Sequence, residues 1–347
     1  MEQESRLPKR HVLIFDHPRS CSNLLGKLLE THPDVTRLHR PWRDARTRVA
    51  DRTGLSFTPE TAVRFQKRRL GAEQPDFSHL TVAKANEHVA ESIRAAREKN
   101  TPPSSSLTKP STALCTTCNV KGNLAIIQEH TAILITDEAI HGTLHDSSSL
   151  PNPSANTTII RSDILQTSIP LLLIRHPALA IPSFLRMHLL EEMLVPEDEM
   201  FRYWISYRWL RIIYSHLASL ARENSANDLA EPVIIDAYDI VQKTPAVMAR
   251  LCELFHIGQG EIRETWEVGE GVVGEPNELD VRWVETLWGS RGVIRREDGV
   301  VDWEIRVGEL VEGWGREFGG DRGEVLKGMV EGEMEDYGFL WERRVRF

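Results

Sequence analysis

The sequence predicts an α/β protein of three layers, with helices covering both faces of a central parallel sheet. Two features carry this reading. A short apolar run that passes at once into a helical pattern recurs three times: 11–16 leads into 22–31, 169–177 into a helix starting near Pro177, and 231–239 into "TPAVMARLCELFHI". Parallel strands joined by right-handed helical crossovers produce that alternation. The second feature is "IPLLLIRHP" at 169–177, the most continuous apolar run of the chain, which suits an inner strand buried on both faces. At 347 residues two domains are possible by length. One core spanning 1–347, with helical lid insertions at about 37–100 and 189–222, accounts for the pattern.

Taken in order, "HVLIFD" at 11–16 is a buried strand, and Leu24, Leu25, Leu28 and Leu29 give 22–31 the spacing of a helix. Thr31-His32-Pro33-Asp34 ends it. Between about 58 and 100, two polar stretches rich in Arg, Lys and Glu suit exposed lid helices. "NTPPSSSLTKPST" at 100–112 and the Ser/Pro/Asn-rich stretch at 146–158 read as mobile loops. "NLAIIQEHTAIL" at 123–134 restores a strand, with His130 at its end. Residues 196–222 read as one long aromatic-rich helix, 231–239 as a strand ending in acids, and the tail as amphipathic helices near 302–318 and 322–336. Trp283, Trp288 and Trp303 are expected in the core of that tail, with the alternative that one of them lines an acceptor pocket.

A formal net charge of −9 excludes a broad basic face for nucleic acid or an anionic membrane, so an anionic ligand needs a local site. Four cysteines make no disulfide scaffold, no run reaches the ~18 apolar residues of a membrane span, and the start MEQESRLPKR has no signal-peptide core. The expectation is a soluble chain in the reducing cytoplasm, where the Asn156-Thr157-Thr158 sequon carries no glycan. Cys115 and Cys118 have metal or redox spacing but no second pair to complete a site, and Gly142 interrupts the helical pair His141 and His145. No metal is expected.

"HVLIFDHPRSCSNLL" then poses a specific question, because a buried strand leaves through small polar residues and one arginine straight into a helix. Such a turn presents backbone N–H groups and the positive end of the helix dipole at the carboxyl edge of the sheet. Ser20, Cys21 and Ser22 are small enough to admit a phosphate, and Arg19 can fork onto phosphate or sulfonate oxygens. The plainer alternative is a helix capped by Ser22 or Asn23 with a solvated Arg19. Gly26-Lys27 imitates the end of a Walker A loop, but no glycine stands five residues before Gly26, and Leu28 replaces the hydroxyl residue that binds magnesium. An ATPase or GTPase is disfavoured. In "LLLIRHPALAIPSFLR", Arg175 at a strand end and Ser183 on the following helix form a second anion-binding arm.

Together these segments resemble the sulfotransferase family, whose members use 3′-phosphoadenosine 5′-phosphosulfate (PAPS). The resemblance implies that Pro18-Arg19-Ser20-Cys21-Ser22-Asn23 holds the 5′-phosphosulfate, and that Arg175, Pro177 and Ser183 match the motif for the 3′-phosphate. "AYDIVQKTP" is similar to a third family segment at Asp239 and Pro245, and Arg291 and Gly292 match a late loop over the 3′-phosphate. The alternative for that loop is a solvated turn. Cys21 stands where the family has glycine, Asn23 where it has threonine, and His176 where it has Asp or Asn.

Sulfuryl transfer to a hydroxyl needs a base for the acceptor proton and positive charge on the leaving oxygens. Histidine suits the base, and His130 emerges at a strand end, where open α/β sheets place ligands. Glu129 is the rival, since neighbours on a strand point to opposite faces. The family's Lys-x-His reads here as Gln128-Glu129-His130, and Arg19 is the residue that replaces the missing lysine. His17 and His176 flank the two anion motifs, as phosphate ligands or as packing groups. The leading reading is a PAPS-dependent sulfotransferase acting on a small organic acceptor such as a secondary metabolite. One alternative is the same fold turned to donor-independent dehydration, elimination or cyclisation; another is a non-catalytic nucleotide-binding or scaffold protein. "RLHRPWRD" near residue 40 offers groups for an aromatic or acidic acceptor.

Overall fold

The computed structural model describes residues 10–46, 55–71, 80–98, 123–145, 150–190, 192–223, 230–270, 278–295 and 302–347. Its strands are β1 (His11–Asp16), β2 (Val35–His39), β3 (Leu124–His130), β4 (Ser168–Ile174) and β5 (Val233–Asp236). They form one sheet of order β2-β3-β1-β4-β5 in which every pairing is parallel. β1, β3 and β4 are buried along their whole length, as the unbroken apolar runs require. β2 is a short edge strand whose alternation of buried and accessible positions was absorbed into the lid region in the sequence reading.

The helices are α1 (Ser22–Glu30), α2 (Pro59–Gly71), α3 (Val82–Glu98), α4 (Thr131–Leu134), α5 (Asp137–His145), α6 (Ser162–Gln166) and α7 (Pro177–Leu190). They continue with α8 (Glu199–Ile205), α9 (Arg208–Glu223), α10 (Ala237–Gln242), α11 (Thr244–Phe255), α12 (Glu278–Trp288), α13 (Val307–Phe318) and α14 (Arg322–Glu342). The pleat divides them into two layers. Leu13, Phe15, Ile127, Leu172 and Ile174 face the core shared with α3, α7, α9 and α14. Val12, Ile14, Ile126, Leu171 and Leu173 face Leu25, Leu28 and Leu29 of α1 and Val247, Met248 and Leu251 of α11. The predicted three-layer architecture is the observed one.

Several local expectations change. Residues 196–222 are two helices, not one, because Ser206 turns extended and the Tyr207 backbone N–H is taken at 2.6 Å by Glu333 of α14. The tail helix runs on to Glu342, and the one before it begins only at Val307, after a single 3-10 turn at Asp302–Glu304. Trp303 is 44% exposed, packed edge-on to Tyr238 and tilted against Trp341, so it is a surface residue. Of the two expected mobile loops, 100–112 and 146–149 lie outside the described residues, as do Cys115 and Cys118. Residues 150–158 are fastened to the core by Thr136 N–H on Thr157 O at 2.9 Å and by the Asn156 side chain on Ile160 O at 2.8 Å. At Gly26 a Cβ would meet the guanidinium of Arg37, so a larger residue there would have to displace that side chain. Among the described residues no helix is long and apolar enough to cross a membrane.

Candidate active site

The loop from β1 to α1 holds two left-handed residues, Arg19 at φ 68° and Cys21 at φ 61°, with Ser20 between them. An L-residue held there costs about 1–2 kcal/mol. Turns of this kind draw successive N–H groups into an anion-binding nest. Cys21, not Ser22 or Asn23, precedes the helix, and its side chain makes no capping bond. The first-turn amides at Ser22, Asn23 and Leu24 therefore face the loop without intrahelical acceptors. Ser20 is fully buried and its Oγ has no hydrogen-bond partner among the described residues. A buried, unsatisfied hydroxyl in such a nest is the feature a phosphate oxygen would complete.

Arg175 follows β4 directly, and α7 starts two residues later at Pro177. Its NH1 donates to the Arg19 carbonyl at 3.0 Å, while Arg19 Nε donates to Ser183 Oγ at 3.0 Å. Arg19, Arg175 and Ser183 thus meet in one place. Arg19 NH1 also reaches the Trp283 carbonyl at 3.4 Å, with its guanidinium 5.6 Å from that ring, so Trp283 belongs to the site rather than to the tail core alone. Burial, and then the neighbouring positive charges of Arg175, Arg186 and Arg40, pull the pKa of Arg19 down. That is the signature of a pocket built around cations.

The flanking histidines are structural. His17 is buried with both ring nitrogens 2.7 Å from carbonyls, of Pro18 and Ile205, and stacks on Tyr207 at 4.0 Å. Tyr207, just after the break between α8 and α9, donates its hydroxyl to the Arg175 carbonyl. His176 Nδ1 accepts from the Ala178 amide at 3.2 Å and so caps α7. Asp239 forms an ion pair with Lys243 at 2.9 Å, and Pro245 lies in the first turn of α11. Arg291 is exposed and contributes its carbonyl to Trp266 N–H at 3.2 Å. Gly292 pairs with Thr265, and a Cβ on it would lie 2.9 Å from the Glu264 carbonyl.

The parallel register of β1 and β3 sets Asp16 beside His130. Asp16, which the sequence reading passed over, is fully buried and its Oδ1 is hydrogen-bonded to His130 Nδ1. Its other oxygen accepts from Gln128 Nε2 at 2.9 Å. Burial alone would raise the Asp16 pKa, but His130, Arg40 and the Gln128 hydrogen bond overcome it and hold it at about 2. Burial, followed by the charge of Arg40, lowers the pKa of His130 against the opposing pull of Asp16. At neutral pH the pair is therefore carboxylate and neutral imidazole. The proton sits on Nδ1, and Nε2 carries the free lone pair.

Glu129 points away from this pair. Its oxygens accept from the backbone N–H of Trp42 at 3.1 Å and of His130 at 3.0 Å. Burial pushes its pKa up to about 8 in spite of Arg40, so it is protonated at pH 7 and cannot serve as a base there. Gln128, in the place of the expected lysine, accepts from Arg37 Nε at 3.0 Å. Asn23 turns its Oδ1 to Arg37 NH2 at 3.3 Å and to His39 Nε2 at 3.2 Å. The half-buried Trp204 stands edge-on to His130 at 6.0 Å, and Phe184 links it to Trp283 at 6.4 and 6.0 Å. An aromatic wall thus runs from the histidine to Arg19. The chemistry of the arrangement is a buried acid–base pair next to a cationic anion cradle.

No family model matches the sequence. Two curated proteins are similar to it, both named sulfotransferase ppzF. The one from Metarhizium rileyi (strain RCEF 4871) is 29% identical over 205 residues, and the one from Metarhizium majus (strain ARSEF 297) is 28% identical over 199. Each alignment covers 55% of this chain and 57% of the relative, so the chain spans little more than half the length of the curated relatives it matches. Among solved structures, the sulfotransferase domain from the curacin biosynthetic pathway is 16% identical with a TM-score of 0.33, covering 75% of this chain and 78% of its own. The sulfotransferase domain from the Synechococcus PCC 7002 olefin synthase is 17% identical with a TM-score of 0.34, covering 82% and 90%.

Proposed function

We propose that this chain, which is similar over 55% of its length to two sulfotransferases, transfers a sulfuryl group from PAPS to a hydroxyl of a small organic acceptor. One observation carries the proposal: the two anion arms are joined by hydrogen bonds, Arg175 to the Arg19 carbonyl and Arg19 to Ser183, around the unsatisfied hydroxyl of Ser20. The donor would supply the sulfuryl group and a phosphate leaving group. Ser20, Ser22 and the first-turn amides of α1 bind its phosphosulfate, and Arg175 with Ser183 binds its 3′-phosphate. His130 Nε2 takes the hydroxyl proton as the acceptor oxygen bonds to sulfur and the old sulfur–oxygen bond breaks towards phosphate. Asp16 keeps the imidazole in the required tautomer and stabilises the cation that forms, a role typical of a buried carboxylate behind a catalytic histidine. Trp204, Phe184 and Trp283 give the acceptor a flat apolar wall.

Calorimetric titration with 3′,5′-adenosine bisphosphate, for the wild type and for Arg175→Ala, tests the donor site without knowledge of the acceptor. Micromolar binding, worth about 8 kcal/mol, that disappears in the variant is the expected outcome. A folded wild type that does not bind would overturn PAPS use and return the acid–base pair to donor-independent chemistry.

A further inference from the structure

Negative charge gathers on the sulfonate and on the departing phosphate during transfer, and preorganised positive charge at that point is what accelerates it. The cations already described each make a contact of their own, and Arg175 is assigned to the 3′-phosphate. Arg19 bonds Ser183 and the Trp283 carbonyl, Arg175 bonds the Arg19 carbonyl, and Arg37 bonds Gln128, Asn23 and Glu30. On β3 the position two before His130 is the neutral Gln128.

Arg40 differs from all of these. It follows β2 at the carboxyl edge of the sheet, with its backbone N–H donating to the Gln128 carbonyl at 2.8 Å, one residue from Glu129 and two from His130. It is held at φ 54°, a left-handed conformation that a non-glycine residue adopts at a cost and that clusters at functional sites. Its Nε is buried without a partner, and among the described residues no ion pair closes on its guanidinium. Its charge acts on His130, Asp16, Glu129 and Arg19, in keeping with its backbone bond to the end of β3. Asp16 and Glu129 are the acids whose charges act on it, but Glu129 is protonated at neutral pH and both Asp16 oxygens are hydrogen-bonded, to His130 and to Gln128. A partly buried guanidinium whose nearest carboxylate is hydrogen-bonded elsewhere keeps N–H donors for an arriving anion.

We infer that Arg40 holds the sulfonate oxygens of the donor beside His130, supplying the positive charge that Gln128 does not. The assignment rests on the donor reading above. PAPS carries the sulfonate and 3′,5′-adenosine bisphosphate lacks it, so a pair of titrations isolates the contact. Arg40→Gln is expected to weaken PAPS binding by about 10- to 100-fold, the range for a lost hydrogen bond to a charged group, and to leave the bisphosphate affinity unchanged. Arg40→Lys, which keeps the charge but not the fork, should lose less. Unchanged bisphosphate binding in the same preparation shows that the variant is folded. Equal loss for both nucleotides, or no loss for either, would overturn the assignment while leaving the donor reading intact. A wild type that binds neither nucleotide would remove the donor reading first, and the Arg40 assignment with it.

Discussion

Replacing Glu129 by Gln probes the charge layout around the base and leaves the His130 imidazole in place, an amide oxygen still accepting from the His130 backbone N–H. In the fold Glu129 keeps its proton to about pH 8, whereas a free glutamate releases it near 4.5. Between those values the folded state binds a proton that the unfolded state has lost, so this carboxyl makes stability fall as pH rises. At ~1.4 kcal/mol per pH unit, the whole interval corresponds to about 5 kcal/mol as an upper bound, part of it shared with the neighbouring Arg40 and Asp16. Glutamine mimics the protonated form and abolishes that slope. The assay is the urea midpoint of wild type and variant across the window, with the difference between the two curves as the readout. Glu333, also pushed up by burial, to about 7, slopes the same way in both proteins and cancels in the difference. The variant should gain on the wild type steadily towards pH 8. Parallel curves would mean that Glu129 is ionised in the fold, and would make it again a competitor of His130 for the proton.

Four further outcomes follow from the same geometry. His130→Ala should lower turnover by about 10²- to 10⁴-fold while the bisphosphate still binds by calorimetry; a small loss would move the base elsewhere. The acid limb of the wild-type pH profile should lie below 6.5, because burial and Arg40 depress His130. Asp16→Asn should shift that limb still lower and reduce turnover, since the carboxylate is what holds the proton on His130, and an unmoved limb would leave Asp16 a merely structural role. Cys21→Gly relieves a left-handed residue and should raise stability by about 1 kcal/mol without weakening nucleotide binding, as read by thermal melting with and without the bisphosphate.

The inner strands were legible because an unbroken apolar run has few other uses, and the ends of those strands located His130, Arg19 and Arg175. Ser183 was legible by its spacing. Asp16 was visible as the acid closing "HVLIFD", but only the register of two strands separated by more than a hundred residues shows that it serves His130. Arg40 lay in plain view in "RLHRPWRD", yet β2 has too few apolar residues to announce an edge strand that would bring it to the site. The break at Ser206–Tyr207 was hidden because its cause, Glu333, arrives from a distant helix. Local pattern reads the scaffold, and long-range pairing decides which side chains meet.

Asp16, His130, Arg40 and Arg175 each stand at or just beyond the carboxyl end of a strand, on four adjacent strands of one sheet. Neighbouring strands lie ~4.8 Å apart. The lateral spacing of these groups is therefore set by backbone hydrogen bonds that no side-chain substitution can alter. Such a site works like a rack with fixed slots: what each slot carries can be exchanged while the distances between slots remain. Divergence in this chain can then redistribute charge along the sheet edge without rebuilding the architecture beneath it.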